Sequence, residues 1–281
     1  MTDGRLRILI LGGYGTFGGR LALLLAQEPR LTMLIAGRSQ AKAEAFCRTL
    51  DGQAEAVPLA FDRDAADAAR IAATEADIVV DATGPFQAYG DAPYRVVEAC
   101  IAAGADYLDL ADGADFVAGI GRFDEVARTR SVAVLAGVSS FPVLTAAVVR
   151  HLARGLTQID SIEGGIAPSP YAGVGLNVIR AIASYAGREV RLTRGGGPST
   201  GRALVETRRW TIAPPGRLPL RRTRFSLVDV PDLRLLPALW PGLCEIWIGA
   251  GPFPAVLHRG LNILARLVRI GVVPLDCHCR A

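Results

Sequence analysis

Short apolar runs alternate with amphipathic stretches over the first 140 residues of the chain. Continuous apolar runs of this length are typical of strands that are buried on both faces of a parallel sheet. The runs predict six strands, at Leu6–Leu11, Leu31–Ala36, Ala56–Phe61, Ile78–Ala82, Asp106–Leu110 and Val132–Gly137. Helical spacing of apolar residues predicts helices at Phe17–Gln27, Gln40–Leu50, Asp64–Ala73, Tyr94–Ala103 and Phe123–Arg130. Strands that alternate with helices predict an α/β fold with a doubly wound parallel (Rossmann) sheet.

This alternation stops after Gly137, and the rest of the chain has a mixed pattern. Helices are predicted at Val143–Leu152 and Leu176–Tyr185, and strands at Ile159–Ile166, Glu189–Thr193, Ala203–Ile212 and Glu245–Ile248. Loops or turns are predicted at Pro168–Gly175, Gly195–Pro198 and Pro214–Gly216. We therefore expect a dinucleotide-binding domain at 1–138 and a smaller α+β domain for substrate binding or dimerisation at 139–281. Since the chain stops soon after its last helix, a truncated second domain is also an expectation.

The last predicted helix, Ala255–Ile270, is amphipathic. Its apolar side carries Leu257, Leu261, Leu264 and Val268, and its polar side carries Arg259, Asn262, Arg266 and Arg269. Charge interrupts the segment too often for it to span a bilayer. The favoured interpretation is a basic helix that packs its apolar side on its own domain, and the alternative is a peripheral membrane contact.

A glycine-rich loop, Gly12-Gly13-Tyr14-Gly15-Thr16-Phe17-Gly18, separates the first predicted strand from the first predicted helix. Gly13, Gly15 and Gly18 have the spacing of the dinucleotide fingerprint, and Gly12 fits the variant with one more residue in the turn. The turn directs free backbone N–H groups and the positive end of the helix dipole at one point. We expect a pyrophosphate there, in contact with Thr16 and Phe17 as well as the glycines.

Arg38 and Ser39 follow the second predicted strand. An NAD enzyme usually has an acidic residue about 20 residues after the glycines, where it binds the ribose 2′-hydroxyl. A guanidinium can instead pair with a 2′-phosphate, and a hydroxyl can add a further bond. We therefore predict NADP (NADPH) as the cofactor. The alternative is that Arg38 is a solvated residue before a helix that Ser39 caps.

Charge is unevenly distributed along the chain. Residues 1–140 contain 13 Lys+Arg against 19 Asp+Glu, and residues 141–281 contain 18 against 8, so their net charges are −6 and +10. A basic second half favours an anionic substrate or an anionic membrane surface. The arginines are dispersed and no nucleic-acid motif is present, so we expect no nucleic-acid partner.

The loop after the fourth strand carries a family resemblance. The segment Asp81–Gly90 contains Gly84-Pro85-Phe86-Gln87-Ala88-Tyr89-Gly90, and Val97-Glu98-Ala99-Cys100 and Tyr107-Leu108-Asp109 follow it. These motifs resemble the saccharopine dehydrogenase (saccharopine reductase-like) NADP-binding domain. The resemblance continues weakly into Val230-Pro231-Asp232 and Leu257-His258-Arg259-Gly260, which are similar to the bacterial oxidoreductase-like branch of the family.

The resemblance implies cofactor contacts for the loop after the fourth strand. Ala82, Thr83, Gly84 and Pro85 would lie along the ribose and nicotinamide side of the cofactor. Asp62, at the end of the third strand, would lie near the adenine edge, and its alternative role is a helix cap.

Three residues are candidates for catalysis. Asp109 and Asp112 follow the fifth strand, at the edge where such sheets bind ligands, and could orient substrate or relay a proton. Family members often have a Gly-Glu pair here, whereas this chain has Ala111-Asp112. Both aspartates have turn or cap roles as the alternative. Tyr89 is either a phenolic acid or a packing residue.

These features predict an NADP-dependent oxidoreductase that acts on a C=N or C=C bond of a small carboxylate-bearing or lipid-like substrate. The apolar runs Leu233–Pro241 and Ile246–Ile270 are the reason to include a lipid-like substrate. The alternative is a non-catalytic NADP-binding sensor or partner protein. A homodimer is a further expectation. Scattered cysteines favour the reducing cytoplasm.

No metal is expected. Asp276-Cys277-His278-Cys279 lacks a second ligand pair, and the helical positions of His151 and His258 favour structural roles.

Overall fold

The structure is a computed structural model that describes residues 4–168, 182, 184–251 and 254–273. It divides into two compact units, with the boundary between Ser139 and Ser140. Each unit has its own hydrophobic core. The predicted tail at 276–279 and most of the predicted loop at 168–175 and helix at 176–185 lie outside the described residues.

The first unit contains one six-stranded sheet. Its strands are β1 (Leu6–Leu11), β2 (Leu31–Gly37), β3 (Glu55–Ala60), β4 (Ile78–Asp81), β5 (Asp106–Asp109) and β6 (Val134–Leu135). Their order is β3-β2-β1-β4-β5-β6, and every neighbouring pair is parallel. The strand order reverses between β1 and β4, where sheets of this type bind ligands. The predicted doubly wound α/β fold is confirmed.

Helices flank this sheet. They are α1 (Thr16–Leu25), α2 (Gln40–Cys47), α3 (Ala68–Ala72), α4 (Arg95–Ala103), α5 (Ala114–Gly119) and α6 (Asp124–Thr129). The prediction of one helix at Asp64–Ala73 is wrong, because a 3-10 turn at Arg63–Ala65 ends at an extended Ala66. Asp67 then caps α3 by accepting a hydrogen bond from the Arg70 amide. Helix α5 was not predicted, since it has only six residues between glycines.

The second unit combines a mixed sheet with a hairpin. Its strands are β7 (Ser161–Ile166), β8 (Glu189–Arg194), β9 (Gly197–Arg202), β10 (Thr207–Ile212), β11 (Leu220–Leu227) and β12 (Glu245–Ala250). The larger sheet has the order β10-β11-β12-β7, and β8 pairs with β9. Its described helices are α7 (Thr145–Leu152), α8 (Asp232–Leu239) and α9 (Ala255–Arg269).

One strand prediction in this unit is wrong in its bounds, and two strands, β9 and β11, were missed. The strand predicted at Ala203–Ile212 begins only at Thr207, and residues placed partly in a turn form β9. β11 was missed because three arginines interrupt the apolar alternation of its first five residues.

The core of the second unit contains part of the apolar runs that suggested a lipid-like substrate. Leu233 and Leu236 of α8 and Ile246 and Ile248 of β12 are buried in it. Trp210, Phe225 and Trp247 pack together in the same cluster, with ring centroids 4.8 and 5.2 Å from Trp210 to the other two. The buried residues of these runs therefore stabilise the fold.

Helix α9 buries a face that overlaps the predicted one only in part, since Leu261 and Val268 are half-buried. His258, Asn262 and Ala265 are buried, whereas Leu257 and Leu264 of the predicted packing face are exposed. The side chain of Asn262 donates to the Leu204 carbonyl (2.8 Å) and to Ser226 Oγ (2.7 Å), and His258 Nε2 lies 2.6 Å from the same hydroxyl. Hydrogen bonds to Leu204 and Ser226 thus hold His258 and Asn262 in the buried face of the helix.

Candidate cofactor site

The glycine turn joins β1 to α1 with almost no space for side chains. Gly12 has φ +73°, and a Cβ there would lie 3.0 Å from the Ala82 carbonyl oxygen. A Cβ at Gly13 would lie 2.8 Å from the Ile10 carbonyl oxygen, and one at Gly18 would overlap the Gly12 carbonyl. The glycines therefore allow the turn, the helix and the loop after β4 to pack against one another.

The N-terminus of α1 fits an anion. The helix begins at Thr16, and Gly15 at the capping position provides no side-chain hydrogen bond. The first N–H groups of a helix have no intrahelical partner, and the helix dipole makes this end positive. The first turn contains no acidic residue. Thr16 and Phe17 are exposed there, so a pyrophosphate can approach the turn.

Tyr14 connects the glycine turn to the end of β2. Its hydroxyl accepts a hydrogen bond from the Ser39 amide (3.0 Å). Its ring packs so closely on Gly37 that a Cβ there would lie 2.5 Å from the ring. Tyr14 thereby fixes the segment that presents Arg38.

Arg38 is exposed, and within the described residues its guanidinium forms no hydrogen bond or ion pair. Ser39 caps α2, since its hydroxyl accepts a bond from the Lys42 amide (3.4 Å). The guanidinium group is thus available to a phosphate, while the Ser39 hydroxyl already has a structural role. Asp62 is also a cap, because its carboxylate accepts from the Asp64 amide (3.0 Å).

A buried ion pair lies where β4 ends. Arg63 Nε is 3.4 Å from Asp81 Oδ2, and both side chains are almost fully buried. Arg63 also donates to the Pro93 carbonyl (2.8 Å), and its guanidinium lies 3.3 Å from the centroid of the Tyr89 ring. The pair therefore connects the turn after β3, the end of β4 and the loop that begins at Ala82.

Thr83 and Tyr89 complete this network. The Thr83 hydroxyl donates to Asp81 Oδ1 (2.5 Å) and lies 2.6 Å from the Tyr89 hydroxyl. Burial, and then the negative charge of Asp81, raises the pKa of Tyr89 far above its usual range. Tyr89 thus remains a neutral phenol, and its ring packs on Phe86 and Phe116. The remaining residues of this loop, Gly84 and Pro85, are partly buried beside Phe86.

The two candidate aspartates after β5 lie in separate hydrogen-bonding arrangements. Asp109 is fully buried, and one of its oxygens accepts from the amides of Ala111 (2.9 Å) and Gly137 (2.7 Å). Its other oxygen has no hydrogen-bond partner among the described residues. Burial raises the pKa of Asp109 to about 6. Asp112 instead accepts from the Gln87 side chain (3.1 Å), and burial raises its pKa as well.

Sequence reasoning missed four residues of this region: Tyr14, Arg63, Asp81 and Gln87. Asp81 had a visible signal, because a carboxylate that directly follows a buried apolar strand needs a partner. Tyr14 occupies the variable position of the glycine motif, and Arg63 stands beside the predicted Asp62. Their partners lie 25 and 18 residues away along the chain, and only the sheet brings them together.

Metal-binding clusters and membrane-spanning helices are absent from the described residues. These residues contain no group of three or more side chains that could hold a metal ion. None of their helices is long and apolar enough to cross a membrane.

Comparison with solved structures supports the fold. Apo histidine-tagged saccharopine dehydrogenase (L-Glu forming) from Saccharomyces cerevisiae superposes with a TM-score of 0.61 at 15% sequence identity. The alignment covers 87% of this chain and 54% of the yeast chain, so this chain spans about half the length of that enzyme. No curated protein sequence gives a significant match.

Two other solved structures are less similar. Biliverdin reductase from Synechocystis, in complex with biliverdin and NADP+, has a TM-score of 0.41 at 16% identity, covering 89% of this chain and 73% of its own. WlbA dehydrogenase from Chromobacterium violaceum, in complex with NADH and UDP-GlcNAcA, has a TM-score of 0.45 at 12% identity, covering 90% and 70%. Because both of these TM-scores are below 0.5, the similarity of fold is argued from the yeast enzyme.

The sequence profile of the saccharopine dehydrogenase NADP-binding domain matches residues 8–133. The match begins within β1, covers β2 to β5 with the glycine turn and the loop after β4, and ends just before β6. Residues 8–133 are therefore similar to the saccharopine dehydrogenase NADP-binding domain.

Proposed function

We propose that this protein is an NADP-dependent oxidoreductase of the saccharopine dehydrogenase type. One observation carries the preference for NADP over NAD: Arg38 is exposed at the end of β2, in the place where NAD enzymes have an acidic residue. A guanidinium matches a phosphate with two parallel hydrogen bonds. Tyr14 supports this role, since it holds the segment of Arg38 against the glycine turn.

NADPH supplies a hydride when it is bound. The N-terminus of α1 would hold its pyrophosphate, Arg38 its 2′-phosphate and the loop from Ala82 to Pro85 its ribose and nicotinamide side. Tyr89 keeps its proton at neutral pH, so it would act as a hydrogen-bond donor and not as a base. Asp109 holds a proton in mildly acid solution, since its pKa is about 6.

We infer that the substrate carries a carboxylate and is reduced at a C=N or C=C bond. The basic second half of the chain supports an anionic substrate. Part of the support for a lipid-like substrate is lost, because Leu233, Leu236, Ile246 and Ile248 lie in the core. The free thiols Cys47, Cys100 and Cys244 agree with a cytoplasmic location.

The rival function is a non-catalytic NADP-binding sensor or partner protein. It is supported by the hydrogen bonds of the three candidate catalytic residues. Tyr89 bonds to Thr83, Asp109 to two backbone amides and Asp112 to Gln87, so each has a structural role already.

Calorimetric titration with NADPH and with NADH tests the proposal. Replacement of Arg38 by Ala should weaken NADPH binding about ten- to a hundredfold, because a charge-assisted hydrogen-bonded pair contributes about 1.5–3 kcal/mol. NADH binding should not change. Arg48→Ala is the matched control, since Arg48 is an exposed arginine at the other end of α2.

The outcomes separate the two functions. If neither cofactor binds the wild type, the glycine turn is a structural element and both proposals are wrong. If NADPH binds in the expected way, its oxidation is followed with carboxylate-bearing imines and enoates. Binding without turnover of any of them would favour the sensor.

A further inference from the structure

We propose that the second unit docks on an anionic lipid bilayer through a surface around α9. This α9 surface consists of Arg209, Arg224, Arg259 and Arg266 and of the apolar residues Val256, Leu257, Ile263 and Leu264. The inference is independent of NADP binding, because all eight residues belong to the second unit.

Hydrogen bonds and strand pairing place the four arginines on the same side of the larger sheet, two on its strands and two on the helix that covers it. Ser226 of β11 bonds to His258 and Asn262, so α9 covers the face to which Ser226 points. Arg224 is two residues before Ser226 and therefore lies on the same face. Arg209 is the direct partner of Arg224 on the neighbouring strand β10. Arg259 and Arg266 are exposed on α9 itself.

These arginines lack negative partners. Like charges that are directly opposite on paired strands repel each other. Neither 207–227 nor 255–269 contains a single acidic residue, and no ion pair of these four arginines occurs within the described residues. Burial, followed by the charges of Arg209, Arg259 and Arg266, lowers the pKa of Arg224. An external anion would relieve this repulsion.

Arg208 shows how the same strand treats an arginine on its other face. Its guanidinium forms ion pairs with Glu163 and with Glu245 (2.7 Å to the latter). On the face that α9 covers, by contrast, Arg209 and Arg224 have no carboxylate partner among the described residues.

Exposed apolar side chains lie beside the arginines. Val256 is 75% exposed, Leu257 67%, Ile263 57% and Leu264 40%. Ile263 stands four residues after Arg259 and three before Arg266, so it is a surface neighbour of both. Helix α9 thus buries His258 and Asn262 and presents apolar and cationic side chains to solvent, and helices that lie in a membrane interface have both kinds of exposed residue.

A bilayer accounts for both halves of this surface. A two-fold contact between copies of the chain would place the arginine cluster against itself. A soluble phosphate would neutralise the arginines but leave the apolar side chains in water. Anionic lipids provide phosphates for the arginines and acyl chains for the apolar residues. Helix α9 has 15 residues and is too short to span the hydrocarbon core of a bilayer, so it would lie at the membrane surface.

Co-sedimentation of the full chain with vesicles tests the proposal. The protein should bind vesicles of phosphatidylglycerol and phosphatidylcholine, but not phosphatidylcholine alone. The double variant Arg259→Gln/Arg266→Gln should bind about 25-fold more weakly, since each arginine at an anionic surface contributes about fivefold in affinity. Arg217→Gln/Arg221→Gln, which removes two other exposed arginines of the same unit, should stay within about twofold of the wild type.

A second variant tests the apolar half. Leu257→Ser/Leu264→Ser changes exposed side chains, so thermal unfolding should remain that of the wild type while vesicle binding falls. The proposal is overturned if the wild type does not bind anionic vesicles or if the control pair loses as much as the test pair. If inorganic phosphate displaces the protein from vesicles and the leucine changes have no effect on binding, the surface is a site for a soluble anion instead. A dimer that these variants dissociate in analytical ultracentrifugation would assign the surface to a second copy.

Discussion

The hydroxyl of Tyr14 is one atom on which cofactor discrimination should depend. Tyr14→Phe keeps the ring on Gly37 but removes the acceptor for the Ser39 amide. A hydrogen bond contributes about 0.5–1.5 kcal/mol, so NADPH affinity should fall about two- to tenfold. NADH affinity should change less, because that cofactor has no group for Arg38. Equal losses for both cofactors in calorimetry would mean that Tyr14 supports the whole glycine turn instead.

Asp109 should make the stability of the protein depend on pH. Its pKa is about 6 in the folded state, against about 3.9 in an unfolded chain. The folded state therefore binds the proton more tightly, and the contribution of this group to stability is lost as pH rises from about 4 to about 6. Asp109→Asn keeps an acceptor oxygen for the two amides and should remove this loss, which is about 3 kcal/mol.

Urea unfolding at several pH values measures this effect. The variant should gain stability relative to the wild type between about pH 4 and about pH 7. Asp106→Asn, at the other end of β5, is the matched control. A difference between Asp109→Asn and wild type that is the same at every pH would contradict the raised pKa.

Single residues were predictable where a motif fixes their position. Arg38 could be found because the glycine fingerprint determines where the ribose-binding residue stands. The bonds of Tyr14 to Ser39 and of Arg63 to Asp81 could not, since strand pairing creates them. The role of Asp62 as a cap was weighed from the sequence, and its hydrogen bond is present. Whether it also lies near an adenine stays a prediction.

At the scale of elements, the Arg63–Asp81 pair connects three segments of the first unit. Asp81→Asn would leave the buried guanidinium of Arg63 with only the exposed carboxylate of Asp64 (3.1 Å) as a countercharge. Breaking one side of a buried ion pair costs about 3–5 kcal/mol, so urea unfolding should occur at a clearly lower concentration. Arg63→Met/Asp81→Asn should be less destabilised than the sum of the single variants, because no lone charge remains. Additive losses would show that the two side chains act independently.

Strands could be predicted from the sequence where both of their faces are buried. The six parallel strands appear as apolar runs, because helices cover both faces of their sheet. β11 contains Arg221, Arg222 and Arg224 among its first five residues, so the expected apolar alternation is absent from its first half. The buried face of α9 was predicted only in part, for a different reason. Ser226 and the Leu204 carbonyl satisfy its polar residues, and no local pattern shows where those partners are.

At the scale of the whole molecule, the small net charge of +4 conceals a division between the two halves. The half with the dinucleotide-binding domain is acidic, yet its proposed ligand is an anion, so the helix dipole and Arg38 must act locally. The basic half has a net charge of +10, which favours binding of a second anionic partner, the proposed lipid surface. The sequence pattern placed a boundary after residue 138, and the structure divides after Ser139.

All three tryptophans of the chain, Trp210, Trp240 and Trp247, belong to the second unit. The reduced nicotinamide absorbs light in the range where indole emits, and in the proposed complex it belongs to the first unit. Quenching of tryptophan emission on addition of NADPH would therefore act as a spectroscopic ruler between the units. Variants that keep only one of the three indoles would give three such distances in solution.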